Sequence, residues 1–120
     1  MQYFIDDFLV ETVTKTTNKE YTLFKILYLK KDQNYYNVLE NIFVFIDLVE
    51  ILKAFSGNRL NTQKEYRIAN NFIAKTTQKD GNMYLKLHFK KNDIYLDKFE
   101  CSSLAAKFSK ILQRCEAWQG

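Results

Sequence analysis

The sequence predicts an α+β fold: two successive units, each of antiparallel strands followed by one helix, with the helices packed on one face of their sheets. Three observations carry that expectation. Slid along itself by 60 positions without a gap, the chain pairs Lys15-Thr16-Thr17-Asn18-Lys19 with Lys75-Thr76-Thr77-Gln78-Lys79, then Lys30-Lys31 with Lys90-Lys91, Tyr35 with Tyr95 and Glu40 with Glu100. From position 15 to 52 this self-match gives 11 identities in 38 pairs, the mark of a tandemly duplicated structural unit. Alternating runs of β-forming residues recur in both halves, and each half closes on an apolar stripe with helical spacing.

In chain order, residues 2–5 form a short strand that breaks at Asp6-Asp7. Residues 8–15 alternate and lead into a Thr-Thr-Asn-Lys turn. A long strand at 20–31 is followed by the polar turn Lys31-Asp32-Gln33-Asn34 and a strand at 35–39. On propensity alone Ile42-Phe43-Val44-Phe45-Ile46 reads as a buried strand, but the offset places it on Ser102-Ser103-Leu104-Ala105-Ala106, which reads as a capped helix start. With Asn41 as N-cap, the stripe Val44, Leu48, Ile51, Leu52 and Phe55 matches Leu104, Phe108, Ile111, Leu112 and Cys115. The prediction is helix over 42–56, stopped by Gly57. In the second half a strand at 66–75 leads through Thr-Thr-Gln-Lys-Asp-Gly into a strand at 82–91. The turn Lys91-Asn92-Asp93, a strand at 94–99 and a helix at 102–117 complete it. Each unit is therefore β-β-β-α, or β-β-β-β-α where the short first strand counts, and the two are expected around a pseudo-two-fold axis. Repeat 1 at 1–60 and repeat 2 at 61–120 make one domain, because one repeat alone buries too little apolar surface to stand by itself.

A chain of 120 residues with 47% hydrophobic and 27% charged residues has the composition of a soluble globular domain. Aromatic residues are abundant at 16%, and the Lys, Asn, Ile, Phe and Tyr content fits an AT-rich coding sequence. The net charge of +4 is uneven: residues 1–60 hold 7 Lys/Arg against 8 Asp/Glu, and residues 61–120 hold 11 against 6. The second half is the better candidate to face a polyanion. Cys101 and Cys115 bracket one helix and stand about 21 Å apart along its axis at about 1.5 Å per residue, too far for a disulfide. They read as reduced thiols in a cytoplasmic protein. No membrane span is expected. Catalytic machinery is not expected either: His88 lies mid-strand without a nucleophile, and phosphate loops, metal-ligand spacings and cofactor motifs are missing from the sequence.

Period-two alternation sorts the long strands into two faces. Leu23, Leu27 and Leu29 match Met83, Leu87 and Phe89 as the side that receives the helix. The other side carries Phe24, Tyr28 and Lys30 in the first half, and Tyr84, Lys86, His88 and Lys90 in the second, joined by Tyr35 and Tyr95. Rings interleaved with lysines suit single-stranded nucleic acid, whose bases stack while ammonium groups follow the phosphates. The repeated Lys-Thr-Thr turns would add phosphate contacts. The first helix carries Ile42, Phe43, Phe45, Ile46 and Val49 off its main stripe. A helix apolar all round is buried all round, so it lies at the junction of the two repeats or forms a subunit interface; a subunit interface, and with it a homodimer, is the expectation.

Tandem sheet-then-helix units with an aromatic and basic sheet face resemble the PUR-repeat, Whirly and PC4-like group of single-stranded nucleic-acid-binding proteins. The resemblance implies four strands before each helix, contact with single strands on a curved β-surface, and dimers or larger assemblies. It implies that Phe24, Tyr28, Tyr84, Lys86 and Lys90 carry the contact. The expected function is sequence-tolerant, non-enzymatic binding of single-stranded DNA or RNA, with no cofactor. The alternative is an interaction module of phage or mobile-element type that inhibits or adapts a host protein.

Overall fold

Four antiparallel strands and a helix follow one another twice along the chain. The strands are β1 (Gln2–Ile5), β2 (Phe8–Thr14), β3 (Thr22–Leu29) and β4 (Tyr35–Leu39), followed by α1 (Ile42–Ser56). Then come β5 (Glu65–Ala69), β6 (Phe72–Lys79), β7 (Asn82–Phe89), β8 (Asn92–Leu96) and α2 (Lys98–Gln119). The computed structural model describes the backbone of residues 2–14, 22–29, 35–39, 42–89 and 92–119, and the side chains of 3–11, 44–89 and 92–113. The strands form two separate sheets, ordered β1-β2-β3-β4 and β5-β6-β7-β8, and every pairing is antiparallel. No helix among the described residues is long and apolar enough to cross a membrane.

Turn chemistry explains two boundaries that alternation hides. The expected strand at 66–75 is two strands, because Asn70-Asn71 reverses the chain between β5 and β6. Tyr66, Ile68, Phe72 and Ala74 keep the same parity across that turn, so the pattern alone runs straight through it. The segment Lys75-Thr76-Thr77, expected in a turn, is the middle of β6. The reversal is confined to Asp80-Gly81, whose φ angles of 54° and 80° make the two-residue left-handed turn favoured by hairpins. Asn92 and Asp93, also expected in a turn, belong to β8.

The second helix begins one turn earlier than its sequence offset implies. Asp97 Oδ1 accepts a hydrogen bond from the Glu100 amide at 2.7 Å, and Glu100 Oε1 accepts one from the Asp97 amide at 3.2 Å. This reciprocal capping box fixes the start at Lys98, and Ser102 lies inside the helix. Buried positions agree: adding 56 to Phe45, Leu48, Val49, Leu52 and Phe55 gives Cys101, Leu104, Ala105, Phe108 and Ile111, all buried. Because 56 and 60 differ by about one helical turn, both offsets match the same apolar period. The first helix ends on Asn58 rather than Gly57. Asn58 has φ 58°, the Arg59 amide bonds Ala54 O at 2.8 Å, and the Asn58 amide bonds Phe55 O at 3.2 Å, the Schellman pattern.

One apolar core joins the four layers. Ile5, Phe8 and Val10 come from the first sheet, Phe72, Ala74, Leu85, Leu87 and Phe89 from the second, and both helices lie among them. Phe108 of α2 meets Phe45 of α1 with centroids 5.1 Å apart and Phe8 of β2 at 5.9 Å. Phe72 and Phe89 stack at 5.6 Å across β6 and β7. Burying each such ring contributes about 1.5–3 kcal/mol. The helices therefore do not keep to their own sheets: α1 packs on β3 and β5, and α2 reaches from β7 and β8 to β2. Lys107 Nζ, 3.5 Å from Asp6 Oδ1, adds a link from α2 to the first hairpin.

Removing the cap in Asp97→Ala should cost about 1 kcal/mol, read as a lower midpoint in urea denaturation with an unchanged slope. The buried hydroxyl of Thr76 finds no hydrogen-bond partner among the described residues. Leaving such a group buried costs roughly 1–3 kcal/mol, so the near-isosteric Thr76→Val should raise the melting temperature; a fall would show that the hydroxyl is satisfied in solution.

A candidate nucleic-acid interface on the second sheet

Strand pairing gathers the chemistry of the second sheet into rows on its outer side. Residues directly opposite each other in antiparallel strands share a face. One row runs Glu65, Lys75, Lys86 and Tyr95 across β5 to β8, and the next runs Arg67, Ile73, His88 and Asp93. Tyr84 follows on β7, opposite Thr77 of β6. Leu85, Leu87 and Phe89 alternate with these positions and point into the core, so the sequence splits the strand cleanly between the two sides.

The polar groups on this face are partly tied to one another. His88 Nδ1 lies 2.6 Å from Asp93 Oδ1. Lys75 Nζ stands 3.9 Å from Glu65 Oε1, both well exposed, a pairing worth at most about 1 kcal/mol. Lys79 Nζ sits over the Tyr95 ring, 4.9 Å from its centroid, an attraction of about 0.5–1 kcal/mol at an exposed site. Glu65, Ile73, Lys75, Lys86, His88 and Asp93 line a half-open depression of about 240 Å³. Four cations (Arg67, Lys75, Lys79, Lys86) against two carboxylates (Glu65, Asp93) leave the face at +2 with His88 neutral.

Of the residues expected on the binding face, Tyr84, Lys86, His88 and Tyr95 come together here. Lys30 and Lys90 lie outside the described residues. Tyr28 pairs with Phe8 and Ile26 with Val10, and both Phe8 and Val10 are buried in the core. The side chains of Phe24, Tyr28 and Tyr35 lie outside the described residues. In backbone register Tyr28 pairs with Phe8 as Phe89 pairs with Phe72, a separation of 61 rather than 60. Tyr35 pairs with Leu29, two rows away from the position that matches Tyr95. The sequence reading ended its strand at Lys75, which it used only as a Lys-Thr-Thr phosphate contact, put Lys79 in the turn, and passed over Phe99, 82% exposed at the start of α2.

The first helix contributes much of its apolar surface to the chain's own core. Phe45 and Val49 are buried within the single chain, and Ile46 is half-buried against the same core. The side chains of Ile42 and Phe43 lie outside the described residues. Helix α1 packs against both sheets and α2, and Asp47, Glu50 and Lys53 make its exposed side. Cys101 is buried as well, and burial pushes its thiol up to about 12, with the Asp97 and Glu100 carboxylates adding to the effect. It is a neutral thiol packed in the core. Among the described residues no cluster of His, Cys, Asp and Glu is placed to hold a metal ion.

No family model, curated protein or solved structure matches the chain.

Phe45→Ala should destabilise the protein by about 3–5 kcal/mol in chemical denaturation. The unfolding midpoint should not move with protein concentration; a strong concentration dependence would restore the intersubunit role.

Proposed function

We propose that the chain binds single-stranded DNA or RNA, without sequence preference and without catalysis, through the outer face of its second sheet. The observation that carries this reading is the row Lys75, Lys86 and Tyr95, flanked by Tyr84 and by Lys79 over the Tyr95 ring. Three ammonium groups can follow a phosphate backbone while two rings offer stacking surfaces. Glu65 and Asp93 on the same face moderate the attraction, so the reading is of a moderate-affinity binder rather than a strongly cationic one. A reducing, cytoplasmic setting goes with it. We further infer that the two halves descend from one duplicated unit arranged about a pseudo-two-fold axis, with insertions that shift the offset along the chain. The likeness of element order in the two halves supports this. The resemblance to PUR-repeat, Whirly and PC4-like proteins is architectural and covers nearly the whole chain; the second sheet carries the described contact residues.

The test is a salt titration with a fluorescein-labelled homothymidine oligonucleotide and its RNA counterpart. Three lysine contacts imply a slope of roughly −2 in log affinity against log salt, at about −0.7 per phosphate for single strands. Lys86→Ala should reduce the slope by roughly 0.7, and Tyr84→Ala should cost about 1–3 kcal/mol of affinity with little change of slope. Absence of binding at low salt removes the reading. Nuclease-resistant retention of one host protein, unaffected by Tyr84→Ala, would favour the adaptor reading instead.

A further inference from the structure

The capping box that starts α2 one turn early has an effect on the surface. It places Phe99 in the first turn, 82% exposed, while Cys101 two residues later is fully buried. Phe99 stands just beyond the end of β8, beside the beginning of β7. Between them an open groove of about 440 Å³ is lined by Asn82, Met83, Tyr84, Asp97, Lys98 and Phe99. Its size falls within the roughly 300–1,000 Å³ range of small-ligand clefts.

The groove's chemistry is specific in kind. Tyr84 and Phe99 supply two aromatic side chains, and Met83 an apolar, polarizable floor. Asn82 supplies an amide that can both donate and accept. Lys98 supplies the one unpaired positive charge at the rim among these lining residues. Asp97 is already engaged by the Glu100 amide, so its carboxylate is committed to the helix start. The groove is continuous with the sheet face through Tyr84, and the lysines of that face lie along the path leading to it. Charge and shape both fit a flat heteroaromatic ring attached to a phosphate-bearing chain.

We propose that this groove seats one unstacked nucleobase, held between Tyr84 and Phe99 with its hydrogen-bonding edge toward Asn82 and its phosphate toward Lys98. It is the end of the path along the second sheet, so the proposal rests on the nucleic-acid reading of that sheet. It adds a site on the helix start that the strand pattern does not contain.

The test compares the unaltered chain with Phe99→Ala and Phe99→Tyr, using anisotropy of the labelled homothymidine oligonucleotide at low salt. Exposure of Phe99 lets both variants fold, which circular dichroism checks. Phe99→Ala should weaken binding by roughly five- to 150-fold, Phe99→Tyr should bind within about twofold of the unaltered chain, and the salt slope should be the same in all three. Salt-dependent binding by the unaltered chain with undiminished affinity in Phe99→Ala overturns the groove site and leaves the sheet reading intact. No binding by the unaltered chain overturns both. Unchanged oligonucleotide affinity together with loss of a nuclease-resistant protein partner in Phe99→Ala reassigns the groove to protein docking and overturns the base site.

Discussion

The Phe108 ring is the contact on which the architecture depends. It touches Phe45 of α1 and Phe8 of β2, so one side chain ties the last helix to the first helix and to the first sheet. Neither sheet has a complete apolar cover from its own helix. Each half of the chain is finished by the other, and the core is common property of both. This is why α1 can be hydrophobic around most of its circumference in a single chain: both sheets and α2 cover it, and only the side bearing Asp47, Glu50 and Lys53 faces water.

With the inner sides committed, function has to use what remains outside. On the second sheet the two demands separate cleanly, because β7 gives Leu85, Leu87 and Phe89 to the core and Tyr84, Lys86 and His88 to solvent. The outer rows are neither purely basic nor inert. His88 is held by Asp93 and Lys75 has Glu65 nearby, while Lys86 and the Lys79-Tyr95 pair supply charge and ring surface together. Such a mixed face favours contact through many weak groups along an extended chain over capture of a compact anion.

Much of this was legible in the sequence. The α+β class, the sheet-then-helix order, helix α1 to its bounds and the two sides of β7 all follow from hydrophobic period and turn residues. What failed came from carrying one ungapped offset through the whole chain. A displacement of four residues is invisible on a helix, since the apolar stripe repeats nearly every turn, and so the start of α2 was misplaced. On the strands the offset drifts as well, since Tyr28 holds the register position of Phe89, 61 residues on rather than 60. The corrective signals were local: Asp97 and Glu100 three apart spell a helix cap, and Asp80-Gly81 marks a tighter turn than the seven-residue connection between Thr14 and Thr22. Phe99 was hidden for the same reason, because its place on the surface follows from the cap and not from any strand.

The link between Asp6 and Lys107 joins groups 101 positions apart, and Phe8 with Phe108 spans nearly the same interval. Loop closure over such a distance makes assembly slow compared with proteins whose partners are near neighbours. On the ribosome the first hairpin emerges long before the residues that cover it, and its apolar side has no lasting partner until α2 has been made. The nascent first half is therefore the stage at which this polypeptide is most open to aggregation or chaperone capture.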